Sequence, residues 1–252
     1  MIILLTPTGA RSEQIAMCVQ FMSRQTYTGQ VLWVIVDDAI PHTIDWITPF
    51  REGWEIVRVY PVPSWYPGQN TQARNLAAGM NAILSKVKRE DIEGIFIIED
   101  DDYYKPHYLE RMVARLKGFD LCGEMNTIYY NVHSRRYLIN ANTVHASLFQ
   151  TGFTYNAIPE LEQSFEHKFI DCVLWSLVPN RIMFKEDDLA VGMKGMPGRA
   201  GIGAGHSRMM SMREDIGMNY LKSLIGEDAK LYERYYGLNR ESQHRTLINR
   251  SR

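Results

Sequence analysis

The apolar run 94–98 is followed directly by four acidic residues, Glu99, Asp100, Asp101 and Asp102. A β-branched and aromatic run of this length is typical of a buried strand, so the carboxylates lie at its carboxyl end, where open α/β sheets bind ligands. Crowded carboxylates repel one another unless a cation joins them, and hard oxygen ligands suit Mg²⁺ or Mn²⁺. The alternative is a solvated acidic turn before a helix. Four in a row exceed what capping needs, and we predict a metal site.

Polar or turn-forming residues also follow two other predicted strands: Thr6, Pro7, Thr8, Asp37 and Asp38. Because the carboxyl ends of parallel strands meet at one edge of a sheet, these residues and the acidic run are predicted to share one rim. Asp37 and Asp38 suit hydrogen bonds to a ribose or a base edge. They equally suit a simple turn after a strand, and both interpretations stay open.

A second region with chemical potential is the glycine-rich segment 191–207, which holds six glycines together with Lys194, Arg199 and His206. Glycines let backbone N–H groups approach an anion closely, and the two cations suit phosphate. The segment lacks the spacing of a P-loop, and no strong strand pattern precedes it. It could be a simple surface loop, but a long loop with these side chains favours a lid over 192–206 that closes on a phosphate.

Between these regions, Asp171 lies in an apolar stretch. Burial there would perturb the pKa of its carboxyl group and suit it to act as a general base. The alternative is that Asp171 is the N-cap of a helix over 172–177, and residue type alone favours this second interpretation.

Composition indicates one soluble α/β domain. The 252 residues are 45% hydrophobic, which is ample for a core. We expect a single domain over 1–252. The net charge of -1 gives no general reason to expect nucleic acid as a partner.

Cysteine usage and hydropathy predict the cellular setting. Cys18, Cys122 and Cys172 show no metal-ligand spacing, and each lies in an apolar segment where a buried, reduced thiol is expected. The N-terminus lacks the basic region of a signal peptide, and no apolar run is long enough for a membrane span. We therefore expect a cytoplasmic protein.

Strand and helix patterns alternate through the first half of the chain, which predicts a parallel sheet with right-handed crossovers. Ser12 is predicted to cap the first helix, and the pattern over 70–88 is the clearest amphipathic helix. The other predicted elements are strands at 2–5, 31–36, 55–59 and 94–98, a helix at 106–116, and a hairpin of 129–132 with 137–139.

These residues resemble the nucleotide-sugar glycosyltransferases of the GT-A fold, most closely family 2. In that family the first strand ends in a donor-binding loop, matched here by 6–11, and the second ends in an Asp-Asp pair, matched by Asp37 and Asp38. An Ala-Arg-Asn signature in a helix is matched around Arg74. The resemblance implies an α/β fold with a GT-A-type Rossmann-like sheet flanked by helices, and a C-terminal acceptor and lid segment. It also implies a nucleotide-sugar-binding half (1–120) and an acceptor-binding half (121–252).

The Asp-x-Asp motif of that family is matched by Glu99-x-Asp101, followed by Asp102 and, a few residues on, Pro106. Glu99 is a departure, since the family usually has Asp there. The register could instead be Asp100-Asp101-Asp102, and Asp101 is a metal ligand in either register.

The resemblance implies that Asp101, Asp102 and His206 hold Mn²⁺ or Mg²⁺, and that the donor is a nucleotide diphosphate-sugar, with UDP-sugar expected. Asp171 matches the acceptor-side segment in which inverting members keep a base, although its usual acidic neighbour is Ile170 here. If the reaction retains configuration, Asp171 would orient the acceptor instead. The residues expected to contact the donor are Thr6, Pro7, Thr8, Arg11, Asp37, Asp38, Arg74, Asp100, Lys194 and Arg199.

Two other functions are compatible with part of this pattern. A sugar-nucleotide pyrophosphorylase shares the layered sheet and metal chemistry, but its first strand is followed by a Gly-Gly-x-Gly-Thr-Arg loop that 6–11 does not match. A non-catalytic carbohydrate- or nucleic-acid-binding module would not need the carboxylates and the glycine-rich segment together. The basic tail 240–252 permits a DNA acceptor, such as a hydroxymethylated base of the kind that phage enzymes glycosylate.

Overall fold

A computed structural model of the protein describes residues 1–47, 51–62, 71–186, 189–198, 201–202 and 211–238. The strands in these residues are β1 (Ile2–Thr8), β2 (Val31–Asp37), β3 (Trp54–Val59), β4 (Gly94–Ile97), β5 (Tyr103–Tyr104), β6 (Leu121–Glu124), β7 (Thr127–Asn131), β8 (Arg136–Asn140), β9 (Thr151–Phe153), β10 (Arg181–Phe184), β11 (Ala190–Lys194), β12 (Pro197–Gly198), β13 (Gly201–Ile202) and β14 (Arg213–Glu214). The α-helices are α1 (Ser12–Ser23), α2 (Gln72–Lys86), α3 (Tyr108–Leu116), α4 (Ile158–Ser164), α5 (Ile170–Leu177) and α6 (Asn219–Ile225).

The central sheet has seven strands in the order β10-β6-β9-β4-β1-β2-β3. Strands β1, β2, β3 and β4 are parallel to their neighbours among these four, as the sequence predicts. The complete sheet is mixed, because β9 in the second half of the chain runs antiparallel to both β4 and β6. This strand has only three residues, and its middle residue is Gly152, so it carries no alternating pattern from which a strand could be predicted.

Helices cover both faces of this sheet, which explains why β1 is apolar over 2–5 and β2 is apolar over 31–36. Side chains alternate between faces along a strand. Ile2 and Leu4 join the core on the side of α1, whereas Ile3 and Leu5 join the core on the side of α2. A sheet that is buried on both faces needs near-continuous apolar strands, and β1 and β2 have them.

A second sheet, in the order β14-β8-β7-β11-β5, lies beside the acidic run. The predicted hairpin is confirmed, because β7 and β8 pair antiparallel with Tyr130 opposite Tyr137. The predicted lid over 192–206 is wrong in its first part. Gly192, Met193 and Lys194 belong to β11, which pairs with β7 on one side and β5 on the other. A glycine is needed there, since a Cβ on Gly192 would lie 2.6 Å from Cδ1 of Tyr129.

Smaller expectations have mixed outcomes. The helices predicted at 70–88 and 106–116 are α2 and α3, and Ser12 is the first residue of α1 rather than its cap. All three cysteines are free, and Cys18 and Cys122 are buried, but Cys172 is exposed because it lies on the outer side of α5. Among the described residues, no helix combines the length and the apolar character that a membrane crossing requires.

Candidate active site

The acidic run lies in the turn between β4 and β5, at the carboxyl edge of the central sheet. Tyr104, which is buried, fixes this turn: its hydroxyl accepts the backbone N–H of Glu99 at 2.8 Å. The backbone N–H of Asp102 also donates to the carbonyl of Glu99 at 3.4 Å. From this compact turn Asp100 points toward the end of β1, whereas oxygen atoms of Glu99, Asp101 and Asp102 lie close together.

Asp100 turns toward the end of β1. Its Oδ2 accepts the hydroxyl of Thr8 at 2.6 Å, and its Oδ1 lies 3.0 Å from a guanidinium nitrogen of Arg11. Burial raises the pKa of Asp100 to about 7, although Arg11 opposes this rise. Arg11 also donates to Asp101, and burial of that carboxyl group is outweighed by Arg11 and Lys194, which together lower its pKa. Arg11 thus links two of the four carboxylates.

Asp102 turns the opposite way, toward β11. Its Oδ1 accepts the backbone N–H of Met193 at 2.7 Å and lies 3.3 Å from the ammonium nitrogen of Lys194. No N–H or O–H of the described residues donates to Oδ2, which is buried. Burial raises the pKa of Asp102 well above its usual range, against the attraction of Lys194. A buried carboxylate oxygen with no donor is a position where a cation would be favourable.

Lys194 is the cation at the centre of the site. Burial alone would lower its pKa, but Asp102, Asp101 and Glu99 outweigh burial and raise it, so the side chain is charged at neutral pH. The ammonium nitrogen also lies 5.7 Å from the ring centroid of Tyr129. This aromatic neighbour adds a weaker cation–π attraction.

Glu99, Asp101 and Asp102 each offer an oxygen atom, and these oxygens all lie within 4.8 Å of one another. Asp101 and Asp102 were predicted as metal ligands from the sequence, whereas Glu99 was not. Glu99 also accepts a hydrogen bond at 2.8 Å from Gln72 at the start of α2. Asp100 lies apart from this group, which matches the register Glu99-x-Asp101.

Several residues that the sequence predicts to contact the donor lie in or next to β1, β2 and α2. Thr6 is fully buried, and its hydroxyl accepts the indole N–H of Trp33 at 2.9 Å. Pro7, the next residue of β1, is partly exposed. The carboxylate of Asp37 accepts backbone N–H groups of Ala39 and Thr43, which makes it a turn-forming residue as well as a candidate donor contact.

Asp38 and Arg74 face each other across this rim. An amine nitrogen of Arg74 lies 3.4 Å from Oδ2 of Asp38, and the side chain of Asp38 is 1% exposed. Arg74 belongs to α2. The next residue of this helix, Asn75, donates its side-chain amide N–H to the carbonyl of Thr8 at 3.5 Å. The structure therefore brings the predicted ends of β1, β2 and β4 to one edge.

Asp171 and Glu99 line the same cavity, which has a volume of about 190 Å³. Its wall also includes Lys194, Lys168 and Phe149. The N-cap interpretation of Asp171 is wrong, because α5 begins at Ile170 and its N-cap is Phe169. Asp171 is partly exposed rather than buried, since it points from the first turn of α5.

Two predicted residues, Arg199 and His206, lie outside the described residues, as does the basic tail 240–252.

The sequence analysis missed three residues that hold the site. Tyr104 fixes the acidic turn, Gln72 donates to Glu99, and Tyr129 of β7 lies near Lys194. Gln72 and Tyr129 lie far along the chain from the residues they contact, so no local sequence signal marks their contacts. Tyr104 is only five residues from Glu99, but the sequence does not mark its hydroxyl as the partner of that backbone N–H.

Comparison with known proteins identifies the fold. No protein-family model matches the chain, and no curated protein matches it in sequence. Similar solved structures include TarS of S. aureus, with 11% identity, a TM-score of 0.55, and coverage of 77% of this chain and 37% of that one. The structure of TarS 1-349 with UDP has 12% identity and a TM-score of 0.53, covering 76% of this chain and 60% of that one.

The structure of TarS 1-349 in complex with UDP-GlcNAc is similar to the same degree, with 12% identity and a TM-score of 0.53, covering 79% of this chain and 60% of that one. This chain thus matches about a third to three fifths of the length of these structures. The shared fold is a mixed α/β sheet flanked by helices.

Proposed function

We propose that this protein is a glycosyltransferase that moves a sugar from a nucleotide diphosphate-sugar, with UDP-sugar as the expected donor, to an acceptor hydroxyl. The observation that carries the proposal is the group of Glu99, Asp101 and Asp102 beside Lys194, next to a cavity that Glu99, Lys194 and Asp171 line. The fold is that of TarS, whose structures contain UDP and UDP-GlcNAc. Open α/β sheets bind their ligands at the carboxyl ends of their strands, and this acidic group lies at such an end.

The carboxylates suit a hard divalent ion such as Mn²⁺ or Mg²⁺. Their oxygens lie within 4.8 Å of one another, and the buried Oδ2 of Asp102 receives no N–H or O–H from the described residues. Bound there by Glu99, Asp101 and Asp102, such an ion supplies Lewis-acid stabilisation for the charge that develops on a leaving diphosphate. His206 completes the ligand set that the resemblance implies.

Two cations of the chain itself would act on the same diphosphate. Lys194 is buried among the carboxylates, and Arg11 is held by Asp100 and Asp101, so both are oriented before the donor binds. Fixed charges in a site from which water is largely excluded stabilise developing negative charge more strongly than solvent does. Arg199 would add a third cation.

On the acceptor side, Asp171 would take the proton of the acceptor hydroxyl if the reaction inverts at the anomeric carbon. The hydroxyl oxygen then forms a bond to that carbon while the bond to the diphosphate breaks. If the reaction retains configuration, Asp171 would orient the acceptor. The transferred group can be a hexosyl or a pentosyl unit, and a hydroxymethylated base of DNA is one acceptor to test.

The direct test is to incubate the protein with Mn²⁺ and a panel of nucleotide-sugars and to measure release of nucleoside diphosphate. We expect release from one donor class, faster with an added acceptor, and its loss by several orders of magnitude in Asp101→Asn. A pyrophosphorylase would instead convert sugar phosphate and nucleoside triphosphate, with pyrophosphate as product. A binding module would turn over none of the panel, and that outcome would refute the proposal.

A further inference from the structure

We propose that His145, Asp171 and Cys172 form a second metal site, selective for a thiophilic divalent cation such as Zn²⁺. Their ligand atoms, an imidazole nitrogen, a carboxylate oxygen and a thiol sulfur, all lie within 4.8 Å of one another. This is a different group of residues from the carboxylates of the acidic run. Sulfur and imidazole ligands select Zn²⁺ over Mg²⁺ and Mn²⁺, which prefer oxygen.

The ligand geometry is close to that of a tetrahedral site. Zn–N bonds of about 2.0–2.1 Å and a Zn–S bond of about 2.3 Å, at a tetrahedral angle, put nitrogen and sulfur about 3.5 Å apart. Nε2 of His145 lies 3.4 Å from Sγ of Cys172. An ion could therefore enter between these two atoms without a rearrangement of the backbone.

Two separate segments supply the ligands, and both are held in place. Asp171 and Cys172 occupy the first turn of α5. His145 lies in the loop between β8 and β9, where the side-chain oxygen of Asn142 accepts the N–H groups of Val144 at 3.0 Å and His145 at 3.3 Å. The amide nitrogen of Asn142 lies 3.1 and 3.0 Å from the two ring nitrogens and would give up one contact when an ion binds.

The site is accessible to ions from solution. Cys172 is exposed, and His145 and Asp171 are partly exposed. Three protein ligands leave a fourth position for water, as in open zinc sites. Since Asp171 also lines the cavity, bound zinc would engage the carboxylate that the transfer reaction needs and inhibit transfer; this consequence alone rests on the proposed function.

Thiol labelling tests the site without any enzyme assay. Cys18 and Cys122 are buried, so Cys172 is the thiol that a small reagent reaches in the folded protein. We expect Zn²⁺ to slow labelling of Cys172 about tenfold or more, because a metal-bound sulfur is a poor nucleophile toward the reagent. Mn²⁺ and Mg²⁺ at the same concentration should leave the rate unchanged.

The variants locate the effect. His145→Ala should lose zinc protection, whereas His167→Ala, which removes an exposed histidine nearby, should keep it. Asp101→Asn should also keep zinc protection of Cys172. This result would separate the proposed zinc site from the acidic run even if the proposed function were wrong. In addition, Co²⁺ should give a sulfur-to-cobalt charge-transfer band that Cys172→Ser abolishes. Unchanged labelling with Zn²⁺, or equal protection in His145→Ala, would overturn the proposal.

Discussion

The ammonium nitrogen of Lys194 lies 3.3 Å from Oδ1 of Asp102, a carboxylate that is completely buried. Asp102 also belongs to the group of oxygens that would hold a divalent ion. Lys194 and the ion are therefore alternative partners for the same negative charge. In the absence of an ion, the lysine keeps the carboxylate from being buried without a counter-charge.

The first prediction is that Lys194→Met binds Mn²⁺ more tightly than the parent in the absence of nucleotide. A contacting charge is worth several kcal/mol at an effective dielectric constant of about 20, so removal of the competitor should strengthen binding about tenfold or more. Without the ion, the free energy of unfolding should fall by about 3 kcal/mol, because Asp102 loses its buried partner. Calorimetry and urea denaturation measure the two effects.

The matched control for this variant is Lys168→Met, which removes a cation from the same cavity wall without touching Asp102. It should change Mn²⁺ affinity only slightly. If Lys194→Met binds Mn²⁺ no better than the parent, the lysine and the ion do not share the carboxylates.

The second prediction concerns the acceptor side. Asp171→Asn should reduce kcat by about 10²- to 10⁴-fold, the usual contribution of a general base, with little change in donor affinity. Its free energy of unfolding should stay close to that of the parent, because the side chain is partly exposed. Glu166→Gln, an exposed acidic residue before α5, serves as the control. Transfer at the parental rate in Asp171→Asn would show that another group takes the proton.

The third prediction is an acid-dependent loss of stability at Asp120, away from the candidate site. Its carboxylate accepts hydrogen bonds from Asn156 at 2.9 Å, Asn180 at 3.0 Å and Thr154 at 2.8 Å. The bonds from Asn156 and Asn180, with that from Thr154, lower the pKa of Asp120. A carboxyl group with a lowered folded-state pKa stabilises the protein above its unfolded pKa of about 3.9, and this stability is lost as the pH falls through the folded pKa.

Urea denaturation of the parent and of Asp120→Asn at several pH values tests this. We expect the parent to be more stable by a constant margin between pH 7 and pH 5, by about 1 kcal/mol or less because solvent screens this accessible carboxylate, and this margin should shrink below about pH 4. Asn156→Ala should reproduce part of the change. A margin that is the same at pH 3 and pH 7 would contradict the assignment.

The fourth prediction concerns Gly79, where α2 packs against the sheet. A Cβ at this position would lie 2.3 Å from Cδ1 of Leu5 and 2.9 Å from Cγ2 of Val36. Helix propensity alone favours Ala over Gly by about 1 kcal/mol. Overpacking a core costs about 1–3 kcal/mol, and both neighbours are fully buried. Gly79→Ala should therefore lower the free energy of unfolding, whereas Asn81→Ala, on the exposed side of α2, should raise it slightly. A rise in Gly79→Ala would show that α2 can shift outward.

The parts of the fold with strong periodicity could be predicted from the sequence. β1, β2 and β4 are apolar because both faces are covered, and α2 shows a helical stripe because one of its faces is buried. β9 and β11 could not be predicted, since one contains Gly152 and the other Gly192 at points of close packing. Pairing with strands distant in sequence, rather than local pattern, makes these segments strands.

The candidate site, like the fold, could be predicted from the sequence only in part. The position of the acidic run follows from the strand that precedes it. The sequence does not predict which carboxylates converge, because Thr8 holds Asp100 and the backbone N–H of Met193 holds Asp102 through contacts across the fold. His145 and Cys172 are 27 residues apart in the chain, and only the packing of their segments brings them together.

The central claim is that a nucleoside diphosphate binds through a divalent ion at Glu99, Asp101 and Asp102. Calorimetric titration of UDP into the protein, once with Mn²⁺ and once with excess chelator, measures this directly. We expect binding with Mn²⁺ and affinity at least about tenfold weaker with chelator, because the carboxylates then repel the diphosphate. Asp101→Asn with Mn²⁺ should resemble the parent with chelator. Equal affinity of the parent for UDP under both conditions would contradict the claim.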